Sequence, residues 1–483
     1  MRQGLRRIAL TLAGLLAFSG IWLTWIATDA ATRFRTDPRN VRAQEGSYLP
    51  GAGRIITADG VVVATDAADG GRTYPEGPTY AHLIGYTAAA GRRGLEESRY
   101  ADLRLRNDDS ITDWLLGLGG SDGRQPDDVI LTVLDPLQQA ARDAMSGKTG
   151  AVVVLDVATG AVLAYVSSPS YDPNRVAAGT LDPEDAVDAV IDRVADRVLP
   201  PGSTFKVIVS AAALDAGVAP STTFPDAEEY LAPGSGAPIG NAGGGFCADG
   251  GTLTLAEALV VSCNAIFARL TVDLGADLIV RAAEQAGFDA YIPWETGAAR
   301  SALAASGLLA SDPGALAQTG IGERDVRVSP LHMALIAAAI GNEGLAMRPY
   351  AVDSIRTASG ETVDRSDPAP LARMFAAGVA ADLLEMMQAV VARGTGTAAA
   401  VEGLIVSEDR YLRGIGRPSR LVHRSRRRRR AQDRHRSRRR VRRLRRSRRR
   451  TDSSDGVASV AGSVTALPVA GSQLPARATM DER

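Results

Sequence analysis

PPGSTFKVIVSAAAL, Pro200–Leu214, is the stretch on which the reading of this 483-residue chain turns. A Pro-Gly pair followed by Ser suits a helix start, and the almost wholly apolar run after Lys206 predicts that the helix is buried. Ser203 and Lys206, three residues apart, then share one face. Burial disfavours the charged form of a lysine, and a neutral amine one turn from a hydroxyl can take its proton and make Ser203 a nucleophile. A capping serine beside a snorkelling lysine would give the same letters. Composition favours the chemical reading, because Lys148 and Lys206 are the only lysines among 55 basic residues. Arginine stays protonated in proteins, so a lysine kept inside an apolar helix is distinctive.

A second stretch, TLAEALVVSCNAIFARL (Thr254–Leu270), is an apolar helical run interrupted by Ser262 and Asn264. Polar residues inside a helix carry a packing or hydrogen-bond penalty, which suggests a role for them. Next to Ser203 and Lys206 they could hydrogen-bond the general base and a substrate amide.

Ser-x-x-Lys followed by Ser-x-Asn resembles the penicillin-recognising serine enzymes. The wider sequence resembles a class B penicillin-binding protein. RTYPEGPTYAHLIGY (Arg72–Tyr86) and GLEESRYADL (Gly94–Leu103) are similar to its N-terminal domain. TGAVVVLDVATGAVLAYVSSPSYDPN (Thr149–Asn174) is similar to the start of its transpeptidase domain. TGIGERDVRVSPLHMALIAAAIGNEGLAMRPY (Thr319–Tyr350) is similar to a later segment, with GERD in place of the commoner Gly-Gln-Gly. The likeness covers about residues 1–403. The Ala-, Gly- and Arg-rich composition and the Ser-Cys-Asn form suggest an actinobacterial member of the cell-division-associated type.

The resemblance implies a peptidoglycan D,D-transpeptidase. Ser203 would attack the D-Ala-D-Ala carbonyl, Lys206 would act as general base, Ser262 would relay the proton to the leaving D-Ala, and Asn264 would hold the substrate amide. The Ser203 backbone N–H and one from a sheet strand would form the oxyanion hole. β-Lactams would acylate the same serine. Implied partners are the peptidoglycan stem peptide and other cell-wall synthesis or division membrane proteins. A serine β-lactamase shares both motifs but lacks the anchor and N-terminal domain, and a non-catalytic envelope scaffold is the other alternative. No cofactor is expected, and four scattered His show no metal-ligand spacing.

Strand-like runs followed by many helices indicate an α+β domain with an antiparallel sheet partly covered by helices. GAVVVLDVATGAVLAYVSS (Gly150–Ser168) predicts a hairpin, and Phe205–Ala216, Leu253–Leu274, Pro330–Ile340 and Leu371–Arg393 predict helices. Arg2, Arg6 and Arg7 precede twenty uncharged residues, Ile8–Ala27, long enough to span a bilayer with residues 1–7 cytoplasmic and the catalytic part outside. A cleaved signal peptide would usually have a shorter apolar core. Residues 28–130 read as a small extended dimerisation or pedestal-like domain, and 131–403 as an incomplete transpeptidase domain. Outside the cytoplasm Cys247 and Cys263 are free to form a disulfide, or they are two buried thiols.

The family requires a third motif, Lys-Thr-Gly, on a strand after the Ser-x-Asn helix. The chain's Lys-Thr-Gly is Lys148–Gly150, before Ser203, where a turn is the ordinary explanation. At the expected place, after GTGTAAAVEG (Gly394–Gly403), stands VSEDRYLRG (Val406–Gly414). Residues 1–403 carry 31 basic and 48 acidic side chains and residues 404–483 carry 24 and 7, so a formal charge of zero averages two unlike pieces. One permitted coding sequence for Val406–Tyr411, GTC AGC GAA GAC CGG TAC, reads Ser-Ala-Lys-Thr-Gly from its second nucleotide. The same shift turns Arg420–Ser425 into Gly-Trp-Phe-Ile-Gly, similar to the family's Trp-Phe-x-Gly. It also turns Ala431–Val441 into Pro-Arg-Ile-Ala-Ile-Ala followed by valines, a credible strand. Three matches in one frame and in family order point to a frameshift near Gly403–Val406. Residues 404–483 would then be an aberrant, disordered Arg-rich tail, and the chain would be poorly folded and nearly inactive. The rival, a basic arm that binds phosphates, would lie where nucleic acid is not the expected partner.

Overall fold

The structure, a computed structural model, describes residues 51–401 except 68–70, 89–90, 104–125 and 184–185, together with residues 14–15, 17–20 and 22. Those seven N-terminal residues are helical and expose Leu15, Phe18 and Trp22. Among the described residues no helix is long and apolar enough to cross a membrane. The rest of the expected anchor and all of residues 404–483 lie outside the described residues.

The strands used below are β1 (Ile55–Ile56), β2 (Val62–Asp66), β3 (Arg72–Thr73), β4 (Asp128–Leu131), β5 (Gly150–Leu155), β6 (Val162–Ser168), β7 (Val352–Arg356) and β8 (Thr362–Arg365). The largest sheet has the order β8-β7-β4-β1-β2-β3. Its N-terminal strands are therefore completed by two strands that follow the helical region in sequence. The sheet so crosses the boundary expected at residue 130 and joins the two parts. It is not wholly antiparallel, since β1 and β4 run parallel while the other pairs are antiparallel.

The expected hairpin forms: β5 and β6 pair antiparallel from Gly150↔Ser168 to Leu155↔Val162. Its turn is closed by the Asp156 carboxylate, which accepts from the backbone N–H groups of Ala158 and Thr159, and by Gly160 at φ +81°. Helix α1 (Asp135–Ala144) covers β6. On its outer edge β5 has no ladder partner among the described residues.

Further helices are α2 (Lys206–Asp215), α3 (Leu255–Val260), α4 (Asn264–Leu274), α5 (Pro313–Gly320), α6 (Pro330–Gly341) and α7 (Ala377–Arg393). Apolar residues on every side make α2 and α6 central rather than amphipathic, and Lys206–Ala213 and Pro330–Ile340 are buried throughout. Helix α6 packs against β5 and α7, and α2 packs against α4 and α7. Each fully buried Leu or Ile in these layers contributes about 1.5–3 kcal/mol.

Two expected helices are corrected. Leu371–Arg373 belongs to a strand, Pro370–Arg373, that pairs with Leu345–Met347, and the helix starts only at Ala377. The run Leu253–Leu274 is two helices. Thr254 caps α3 in a reciprocal capping box with Glu257, and the chain then leaves helical geometry between Val261 and Cys263. Ser262 has φ +57°, a left-handed conformation that residues other than glycine seldom adopt. Apolar periodicity predicts one helix here because it registers which face is buried, not a break that leaves that face intact.

Candidate active site

A short 3-10 turn, Gly202–Phe205, leads into α2, so Ser203 lies in the turn and Lys206 opens the α-helix. The hydroxyl of Ser203 does not cap that helix. It accepts from Lys206 Nζ at 3.3 Å and from Ser262 Oγ at 3.0 Å. Nor does Lys206 snorkel, since it is 0 % exposed. Its Nζ lies 2.9 Å from the Ser262 carbonyl oxygen, 3.0 Å from Ser262 Oγ and 2.7 Å from Asn264 Oδ1. The ring of Phe267, one turn along α4, has its centroid 5.6 Å from Nζ. All four residues singled out in the sequence thus meet at one amine.

The bend at Ser262 makes this possible, because it turns both the carbonyl and the hydroxyl of one residue toward the same nitrogen. Four oxygens lie within 3.3 Å of the amine. Two of them, the Ser262 carbonyl and Asn264 Oδ1, can only accept. The other two are hydroxyls that can also donate. A proton can therefore pass between the amine and either hydroxyl along contacts already made. Asn264 is oriented from both ends, with Oδ1 on Lys206 and Nδ2 donating to the Gly240 carbonyl at 3.1 Å.

Cys247 and Cys263 form a disulfide with Cα atoms 5.6 Å apart, which settles the alternative left open by the sequence. The bond ties the Gly-rich 243–251 loop to the middle residue of Ser262-Cys263-Asn264. Asp226 anchors the same loop by accepting from the N–H groups of Cys247, Ala248 and Gly250. Desolvation pushes its carboxyl up, but these three N–H groups overcome that and hold it below the usual carboxylate range.

Lys148 sits in the turn between α1 and β5, where its carbonyl accepts from Ser168 Oγ at 2.6 Å. Among the described residues no hydrogen bond links it to Ser203, Lys206, Ser262 or Asn264. A turn accounts for this early Lys-Thr-Gly.

Three contributors escape a reading by motif. Gly240 acts through its carbonyl and Phe267 through its ring, at positions that look like ordinary loop and core residues. Gly322 is the third: its carbonyl accepts from Gly202 N at 2.8 Å, its φ is +79°, and a Cβ there would lie 1.7 Å from the Gly202 carbonyl oxygen. Its only sequence signal is a glycine in TGIGERD. Gly322→Ala must push Gly202 away and carry Ser203 with it. Misplacement on the scale of an ångström costs about a hundredfold in rate, so in the chain with its frame restored acylation of the variant by fluorescent penicillin should fall by that order. Parent-like acylation kinetics in Gly322→Ala would count against this role.

Comparison with known proteins follows the same division of the chain. The family model described as the penicillin binding protein transpeptidase domain matches residues 150–407. That of the penicillin binding protein A dimerisation domain matches residues 52–124. The chain is 36% identical over 417 residues to the peptidoglycan D,D-transpeptidase PbpA of Mycolicibacterium smegmatis, covering 80% of this chain and 82% of that protein. The crystal structure of PBPA from Mycobacterium tuberculosis is similar at a TM-score of 0.67 and 33% identity, over 74% of this chain and 85% of that one. The penicillin G acyl-enzyme complex of the same M. tuberculosis protein is similar at a TM-score of 0.65 and 33% identity, with 74% and 85% covered.

Proposed function

The chain belongs to the penicillin-binding protein transpeptidase family, and on that premise we propose how its own residues divide the work of a peptidoglycan D,D-transpeptidase. The enzyme is a serine acyltransferase that cross-links cell-wall stem peptides and binds penicillin covalently. Ser203 Oγ attacks the carbonyl carbon between the two D-Ala residues as its proton passes to the lone pair of Lys206. The tetrahedral intermediate collapses, the C–N bond breaks, and Ser262 Oγ hands the proton to the departing amine of D-Ala. The amine of a second stem peptide then attacks the ester carbonyl, loses its proton along the same path, and releases Ser203. Asn264 Nδ2, which spends one proton on Gly240, has a second for the substrate amide carbonyl. The observation that carries this assignment is the convergence of Ser203, Ser262 and Asn264 on the buried Lys206 amine.

Two further parts of the reading go beyond these residues. The first is that Ile8–Ala27 anchors the chain with its catalytic part outside the membrane, where other membrane proteins of wall synthesis or division would meet it. The second is that the Lys-Thr-Gly strand is encoded one nucleotide out of frame after Gly403, leaving the chain as translated impaired. The end of the transpeptidase match at residue 407 supports it, as does the outer edge of β5, which has no ladder partner among the described residues.

Fluorescent penicillin tests the assignment. In the frame-restored chain the label should sit on Ser203 alone, persist as an adduct, and vanish in Ser203→Ala. A label that survives Ser203→Ala would sink the nucleophile. Rapid release of hydrolysed penicillin would instead mark a β-lactamase.

A further inference from the structure

Helix α4 starts at Asn264 without a side-chain cap from its own N-cap residue. Its N-cap residue is Cys263, whose side chain makes no capping hydrogen bond and whose sulfur is held in the disulfide with Cys247. A capping side chain normally satisfies one of the first N–H groups of a helix. Here the acceptor comes from elsewhere in the chain: Asn241 Oδ1 accepts from Ala265 N at 2.9 Å. The Asn241 amide nitrogen donates to the carbonyls of Ala227 at 2.7 Å and Gly245 at 3.0 Å, which fixes the orientation of the amide. Its chain neighbour, Gly240, accepts from Asn264 Nδ2.

We propose that Asn241 is a positioning residue for the transpeptidase reaction, acting as a cap in trans that sets where α4 begins. The inference rests on the assignment of Ser203, Lys206, Ser262 and Asn264 above. The start of α4 immediately follows the left-handed Ser262, a conformation that persists only when its surroundings hold it. With the sulfur of Cys263 committed to the disulfide, Asn241 supplies that hold from one side and Asn264–Gly240 from the other. If the first turn of α4 shifts, the Ser262 hydroxyl and Asn264 Oδ1 move off Lys206 together. Both ends of the Asn241 side chain are used. Alanine removes the acceptor and the donors, whereas aspartate keeps an oxygen for the Ala265 N–H but sets its other oxygen against the Ala227 and Gly245 carbonyls.

The two lysines make a direct measurement practical. The full chain labelled with 13C at lysine Cε gives two lysine signals, and Lys148→Arg assigns them. In Asn241→Ala the Lys206 signal should move while the Lys148 signal stays. Wherever acylation of Ser203 by fluorescent penicillin is measurable, its rate should fall by about tenfold or more, within the range expected for sub-ångström misplacement. Asn241→Asp, which keeps the cap oxygen, should displace the Lys206 signal less than alanine does and recover part of that rate. The proposal is overturned if Lys206 is unmoved in Asn241→Ala, or if that variant is acylated at the parent rate. Should the alanine variant fail to fold, Asn241→Gln, which keeps the amide but carries it past the Ala265 N–H, takes its place: a displaced Lys206 signal supports the cap, and a parent-like one refutes it. Failure of the nucleophile assignment is a separate result. Label surviving in Ser203→Ala would sink that reading, while the Lys206 signal still reports on the geometry around the amine.

Discussion

The purified chain, incubated with fluorescent penicillin, should acquire label at least about a hundredfold more slowly than the same chain translated one nucleotide out of phase after Gly403. What the shifted frame restores is a strand and its donors. The described site is complete on its helical side, where Ser203, Lys206, Ser262 and Asn264 converge. It has no opposite wall among the described residues. Strand β5 shows the same deficiency from the sheet side: α6 and β6 lie against it, yet its outer edge pairs with nothing described. Removal of one oxyanion-hole donor typically costs two to three powers of ten in rate, about 2.7–4 kcal/mol. On the proposed frameshift, a lost Lys-Thr-Gly strand would remove such a donor along with the groups expected to bind the substrate carboxylate. Equal labelling rates for the two chains would show that the third motif is dispensable or supplied from elsewhere. Genomic DNA gives an independent check, because a reading frame blocked by stops after Gly403, or one that lacks Lys-Thr-Gly, removes the premise.

How much of this was legible in the letters differs by kind of residue. Ser203 and Lys206 were readable because helix spacing places them on one face and because lysine is so rare in the chain. The hairpin Gly150–Ser168 was readable from its β-branched runs and Gly turn. The break at Ser262 was not, since Val, Ser and Cys flanking it fit a helix, and the left-handed backbone is imposed by contacts far away in sequence. The sharing of β7 and β8 with the N-terminal sheet was hidden for a related reason. Strand pairing across more than two hundred residues leaves no local pattern, as the register of Ile130 with Ser354 illustrates. Gly322 and Asn241 act through a close backbone approach and a distant cap, and both are ordinary loop letters until the chain is folded. The disulfide stayed open because bridging depends on Cα separation.

Lys206→Arg is the sharper test of the chemistry. Arginine keeps the positive charge on a side chain of at least the same reach, so any role for Lys206 as a fixed cation should largely survive. It cannot deliver a lone pair, because a guanidinium does not lose its proton in proteins. In the frame-restored chain the acylation rate should therefore fall by about two to four powers of ten, the usual range for removal of a general base. Lys148→Arg, the only other lysine exchange open in this chain, should leave the rate unchanged, since Lys148 belongs to the turn before β5. The pair separates base catalysis from charge with one chemical change made at two places. Lys206 is fully buried among four oxygens, so a bulkier guanidinium also risks disturbing Ser262 and Asn264. Lys206→Ala controls for that: it removes bulk, charge and base together and should be at least as slow as arginine. Should Lys206→Arg label within threefold of the parent, the amine is not the base, and the proton of Ser203 must leave by a path that does not involve it.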